Sequence, residues 1–260
     1  MRTLLLASLL LLNVNYVMAN QCEIDFDGNI QLEDRVLTLN TPKHKKIVIQ
    51  ENNQLYVNDK HVVLSTEQQR LVSAYYAGIY AAAPQAERIA RDAIELANVT
   101  INEVFTELLG TKSGAVDELS VKLDELSTHI HSNFYAKNGE IRLNSANFED
   151  GNFLGNEWEQ EFEQVIEEVV SNSVGKILLS IGSQLLFGGD DIDAFEAKME
   201  QFGQDMEQRL EYQTSSIEAR ANALCLSLAQ VDSVESQLQN SITELADLNI
   251  LRVTANYEAM

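Results

Sequence analysis

Two thiols, Cys22 and Cys225, lie towards opposite ends of a 260-residue chain. Such a pair can be a redox couple, two buried free cysteines or a structural disulfide. A redox couple normally sits in a close Cys-x-x-Cys arrangement that depresses one thiol pKa, and that spacing is absent. In an oxidising compartment a Cys22–Cys225 bond is the natural reading. It would enclose 202 residues, and the chain-entropy treatment gives such a loop on the order of 4–5 kcal/mol of stabilisation.

The other side chains with chemical potential have plainer explanations. Tyr75, Tyr76 and Tyr80 are spaced to pack their rings on a sheet; lining a binding groove is the sharper alternative. Asp25-Phe-Asp27-Gly28-Asn29 matches only the start of a calcium loop. Its glycine falls at position 4 and Val36 stands where a bidentate Glu is required, so a hairpin turn accounts for it better. Asp190, Asp191, Asp193 and Glu196 form an acidic group that could hold a hard cation, but acids at a helix N-terminus are also what the macrodipole favours. The same holds for Glu157, Glu159, Glu161 and Glu163.

His129 and His131 are two residues apart on a predicted helix and point to different faces, whereas a helical metal site wants a spacing of four. His44 and His61 have no motif around them. Nucleophile-elbow, dinucleotide and phosphate-loop patterns are absent. The sequence therefore assigns no catalytic residue, no cofactor and no metal ligand.

The elements that must position these residues follow from periodicity. Residues 20–64 alternate as four or five short antiparallel strands. Cys22–Phe26 and Asn29–Leu32 flank Asp27-Gly28, the composition of a type I′ hairpin turn. Lys46–Ile49, Leu55–Val57 and His61–Leu64 follow, separated by Glu51-Asn52-Asn53 and Asn58-Asp59.

Residues 65–135 read as helical. Ser65 and Gln68 have capping-box spacing, and Leu71, Val72, Tyr75, Tyr76, Ile79 and Tyr80 form one stripe. Pro84 punctuates before a second stripe, and Gly110 to Gly114 breaks the chain again. Asn138-Gly139, near a strand predicted over about 138–144, suggests a return to the sheet. Residues 157–250 then read as helices packed side by side or against a partner. Gly175 and Gly182 permit close helix approach, and Asp232 and Glu235 cap a final helix. The fold class is α+β, an N-terminal antiparallel meander with long amphipathic helices, and one domain over residues 20–260.

Arg2, the apolar run Leu4–Leu12 and Ala19 before a polar stretch describe a secretory signal over residues 1–19, cleaved after Ala19. The longest later apolar run, Val174–Phe187, is too short to span a membrane. The formal net charge is -22. It becomes -23 once Arg2 leaves, of which -18 lies in residues 111–260. That excess of acid argues against a nucleic-acid partner, since phosphate binding draws on Lys and Arg.

Leu224-Cys225-x-x-Leu228-x-x-Val231-Asp232-x-Val234-Glu235-x-x-Leu238, followed by Ser241-Ile242-x-Glu244-Leu245, resembles the end of the YggN-like family of gammaproteobacterial envelope proteins of unknown function. Thr243 stands where that pattern has a proline. The opening signal, the first-strand Cys22, Leu55–Leu64 and the stretch from Gln68-Gln69 to Tyr75-Tyr76 are similar to the family's early segment. The resemblance implies a periplasmic location and supplies no catalytic residues. The leading expectation is a non-enzymatic envelope module with an unknown protein or ligand partner, its long helices offering a route to oligomers. The rivals are a hydrolase with an unrecognised carboxylate site and a weak divalent-cation binder.

Overall fold

The structure, a computed structural model, describes residues 21–109, 114–145, 160, 162–167, 171 and 191–256. Its first strand, β1 (Gln21–Phe26), is followed by β2 (Asn29–Glu33), β3 (Val36–Asn40), β4 (Lys46–Gln50), β5 (Leu55–Val57) and β6 (Lys60–Val62). Helices α1 (Thr66–Leu109) and α2 (Gly114–Phe134) come next, then the short β7 (Leu143–Asn144). The long helix α3 (Asp191–Ser241), a 3-10 turn at Thr243–Leu245 and the strand β8 (Leu251–Asn256) complete the described chain. The α+β expectation holds.

Strands β2 to β6 form the meander, and β7 extends it to give the sheet order β6-β5-β4-β3-β2-β7. Alternation does the work: Ile30, Leu32, Leu37, Leu39, Ile47, Ile49 and Leu55 are buried while their neighbours along each strand are more exposed. One face of the sheet is thus apolar and must be covered. Two turns reverse the chain with paired positive φ, at Asp34-Arg35 and at Asn58-Asp59, the geometry that matches strand twist in two-residue hairpins. Asn138-Gly139 returns the chain to the sheet as predicted. Tyr135 bridges Ile141, Gly139 has φ 81°, and Leu143 pairs with Leu32.

The Asp27-Gly28 hairpin is corrected. β1 does not pair with β2; it pairs antiparallel with β8, Cys22 opposite Ala255 and Phe26 opposite Leu251. Asp27-Gly28 is instead the corner where the chain leaves this two-stranded ribbon for the main sheet. Asp27 N–H donates to the Ile250 carbonyl at 2.8 Å. Gly28 has φ 117°, and a Cβ there would stand 2.4 Å from the Asn40 carbonyl oxygen. The glycine serves a close backbone crossing rather than a hairpin.

Pro84 does not end a helix. It lies inside the 44-residue α1. Proline removes one helix hydrogen bond, and packing outweighs the loss: Ala82 and Ala83 are buried, and α1 lies against both α3 and α2. The capping box at its start is real, with Ser65 N–H donating to Gln68 Oε1 at 2.8 Å and Gln68 N–H to Ser65 Oγ at 3.3 Å. Gln68 Nε2 also donates to the Ser241 carbonyl at 2.6 Å, tying the start of α1 to the end of α3.

The predicted final helix differs too. α3 runs unbroken past Asp232 and stops at Ser241, so Leu245 and Leu248 are buried in the turn and loop that follow it. Residues 162–167 are helical. The rest of the predicted helix over 157–187, including Val174–Phe187, Gly175 and Gly182, lies almost wholly outside the described residues. Among the described residues no helix is long and apolar enough to cross a membrane.

Helices α1 and α3 pack side by side over the apolar face of the sheet. Gly78 sets their spacing at one point: a Cβ there would lie 2.4 Å from Val231 Cγ2. The glycine pair expected to allow such an approach is elsewhere in the sequence. The second half of α1, the first half of α2 and the helical residues 162–167 share a smaller cluster, Leu119, Leu123 and Val165 with Ile94 and Phe105.

Candidate functional site

Where α1, α2, α3, the ribbon and the edge of the sheet meet, the side chains leave an open-sided cavity of about 330 Å³. The ribbon supplies Ile24 and Phe26, β2 supplies Ile30, and Leu143 and Ser145 come from β7 and the residue after it. Helix α1 contributes Ile79, Ala82, Ala83 and Ala86, α2 contributes Phe134, and α3 contributes Leu224 and Leu228. Phe26 is 46% exposed and marks the mouth.

The space has a local cause. The α1 stripe is bulky through Tyr75, Tyr76 and Ile79, then falls to alanine at 82, 83 and 86 on the same inward side. Alanine withdraws the volume that a leucine would place there. The ribbon prevents collapse onto the gap, because it is held to α3 at two levels, through β1 and through β8.

The first is the Cys22–Cys225 disulfide, with a Cα–Cα distance of 6.1 Å, which is ordinary geometry for the bond. The predicted pairing is present. Cys22 is two residues from Ile24 and Cys225 adjoins Leu224, so the bond joins two walls of the cavity. The second is a pair of carboxylates. Glu235 is buried and takes the Tyr75 hydroxyl proton donor at 2.5 Å on Oε2. Its Oε1 accepts from Ile250 N–H at 2.6 Å and Leu251 N–H at 3.2 Å. Asp232 Oδ2 accepts from Val253 N–H at 3.0 Å.

These carboxylates therefore anchor the start of β8 rather than cap a helix. Burial pushes the Glu235 carboxyl up, against the lowering effect of its hydrogen bonds. Burial and the neighbouring Glu235 charge push the Tyr75 hydroxyl well above its ordinary value, so it stays a donor.

The predicted tyrosines do not line the cavity. Tyr75 is in the core beneath α3, and Tyr76 donates its hydroxyl to the Arg35 carbonyl at 2.9 Å. Tyr80 stacks on Tyr76 with ring centroids 5.9 Å apart. The second buried carboxylate, Glu87, bridges α1 and α2: its Oε1 lies 2.9 Å from His131 Nδ1 and 3.3 Å from Arg91. His129 and His131 do not converge on one site, and among the described residues no group of three His, Cys, Asp or Glu could hold a metal ion. The acidic group at 190–196 and Glu157, Glu159 and Glu161 lie outside the residues whose side chains are described; Glu163 is exposed.

A family model described as "Protein of unknown function (DUF2884)" matches residues 22–251, from the first disulfide cysteine to the first residue of β8. The chain belongs to that family. No curated protein and no solved structure matches it. The DUF2884 span takes in both cysteines, Asp232, Glu235 and every described residue of the cavity wall.

Chemically, this DUF2884 cavity offers burial and little else. Ser145 is the polar side chain among its described lining. Ser145 Oγ already accepts Ile30 N–H at 2.9 Å and Asn29 Nδ2 at 3.3 Å. No acid, base or thiol reaches into the described wall. The stripe predicted through Ile79 is followed by Ala82, Ala83 and Ala86, which its periodicity does not single out. The signal was present as a sudden loss of side-chain volume along one helical stripe. Glu235 left a signal too, since it falls in the buried series Leu224, Leu228, Val231, Glu235, Leu238 and Ile242.

Proposed function

We propose that the protein is exported to the periplasm and acts there as a non-enzymatic binding module of the cell envelope. The observation that carries this is an apolar cavity of about 330 Å³ whose described wall contains no titratable group. Sites of about 300 Å³ and above, mostly apolar, are the usual form of small-molecule pockets. The Cys22–Cys225 bond supports export, because disulfides persist in oxidising compartments. The signal-like residues 1–19, with cleavage after Ala19, and the resemblance to the gammaproteobacterial YggN-like proteins support the same location. On this reading residues 20–260 form one domain.

The test is native mass spectrometry of the protein taken from its own envelope. The expected species begins at Asn20, lacks two hydrogens for the disulfide and carries a non-covalent apolar adduct. A species that retains residues 1–19, or one with two alkylatable thiols, overturns export. A chain that never carries an adduct and binds no apolar probe overturns the binding role.

A further inference from the structure

We infer that the cavity takes a single aliphatic chain of about ten carbons whose head group carries no negative charge. This rests on the binding role proposed above and names its ligand class. At about 30 Å³ for a group the size of water, 330 Å³ holds on the order of ten chain atoms. That is roughly twice an apolar cavity able to take up benzene.

The wall selects against polar ligands. Ser145 Oγ accepts two N–H groups, which uses its acceptor capacity and leaves one hydroxyl proton to offer. A ligand with polar atoms along its length would lose water there without replacement. An alkyl chain loses nothing and gains burial against Ile24, Ile30, Ile79, Leu143 and Leu228.

The mouth selects the head group. Phe26 is the exposed lining residue there. The chain as a whole carries a formal net charge of -22. A carboxylate or phosphate head would meet repulsion, whereas an alcohol or an ammonium would not.

The experiment uses the mature, disulfide-bonded protein and displacement of N-phenyl-1-naphthylamine fluorescence by straight-chain alkanols from hexanol to tetradecanol. Each added methylene should tighten competition about fourfold up to roughly ten carbons and add little beyond. Decanol and decyltrimethylammonium should each compete at least about tenfold better than decanoate at low salt. Ala86→Leu should lower the cut-off by about three carbons, the number it inserts. Ile24→Ala should raise it, which keeps the test intact if the first variant fails to fold.

A series that keeps rising to tetradecanol overturns the inference, and so does decanoate competing as well as decanol; both leave a binding role standing. A cut-off unmoved in both folded variants also overturns it. Absence of any probe or alkanol binding overturns the inference and the binding role together.

Discussion

Helices α1 and α3 touch at one level and part at the next. At Gly78 and Val231 they are so close that a single added Cβ would fall 2.4 Å from a methyl carbon. One turn along α1, Ala82, Ala83 and Ala86 line a cavity together with Leu224 and Leu228 of α3. Both regions use small residues, with opposite results. At Gly78 the small residue lets the helices approach. At the alanines, approach is blocked by a third body, the β1–β8 ribbon tied to α3 by the disulfide and by Asp232 and Glu235. Small side chains make close packing where nothing intervenes and a void where something holds the walls apart.

That contrast breaks most severely at the ties. Glu235→Ala should cost about 3–5 kcal/mol in denaturant unfolding, because it strands the Tyr75 hydroxyl and the N–H groups of Ile250 and Leu251. It should also abolish probe uptake in any folded fraction. Replacing both cysteines by serine should cost about 2–5 kcal/mol, and its effect should vanish when wild type is measured under reducing conditions.

Gly78→Ala comes next, at about 1–3 kcal/mol of overpacking against Val231. A smaller effect should appear with pH. Glu235 has a folded pKa raised by burial, so the folded state holds its proton more tightly than the unfolded chain. Its contribution is full below the ordinary Glu value and declines as pH rises through the raised one. Wild type should therefore lose stability relative to Glu235→Gln across that rise, seen by chemical denaturation at stepped pH; a flat difference would remove the linkage. Ala86→Leu should lie within about 1 kcal/mol of wild type, since the new side chain enters existing space. A cost matching that of Gly78→Ala would mean the two regions are packed alike.

Much of the fold was legible because it is periodic. Alternation placed strands close to Lys46–Gln50 and Leu55–Val57, and the Ser65–Gln68 box marked the start of α1 within a residue. β8 carries the same alternation, Leu251-Arg-Val-Thr-Ala-Asn256, yet it sits just past a helical stripe and has no partner nearby in sequence. Its partner β1 is over 200 residues away and adjoins Asp27-Gly28, which by composition alone promises a local hairpin. Local turn chemistry and a distant backbone crossing use the same glycine, and the sequence does not distinguish them. Pro84 shows the same limit, since its local cost is fixed but the packing that outweighs it is not local.

The residues alone determined what is local or unique. Periods of two and of three to four dictated strands and helices, and two thiols allowed one intramolecular partner each. Tertiary structure decided what depends on several elements at once. Whether Glu235 caps a helix or anchors a strand depends on which N–H groups arrive from β8. Whether three alanines mean tight packing or a cavity depends on how far the ribbon holds α1 and α3 apart. A void is a difference between the volumes of separate walls, and no single stretch of sequence contains it.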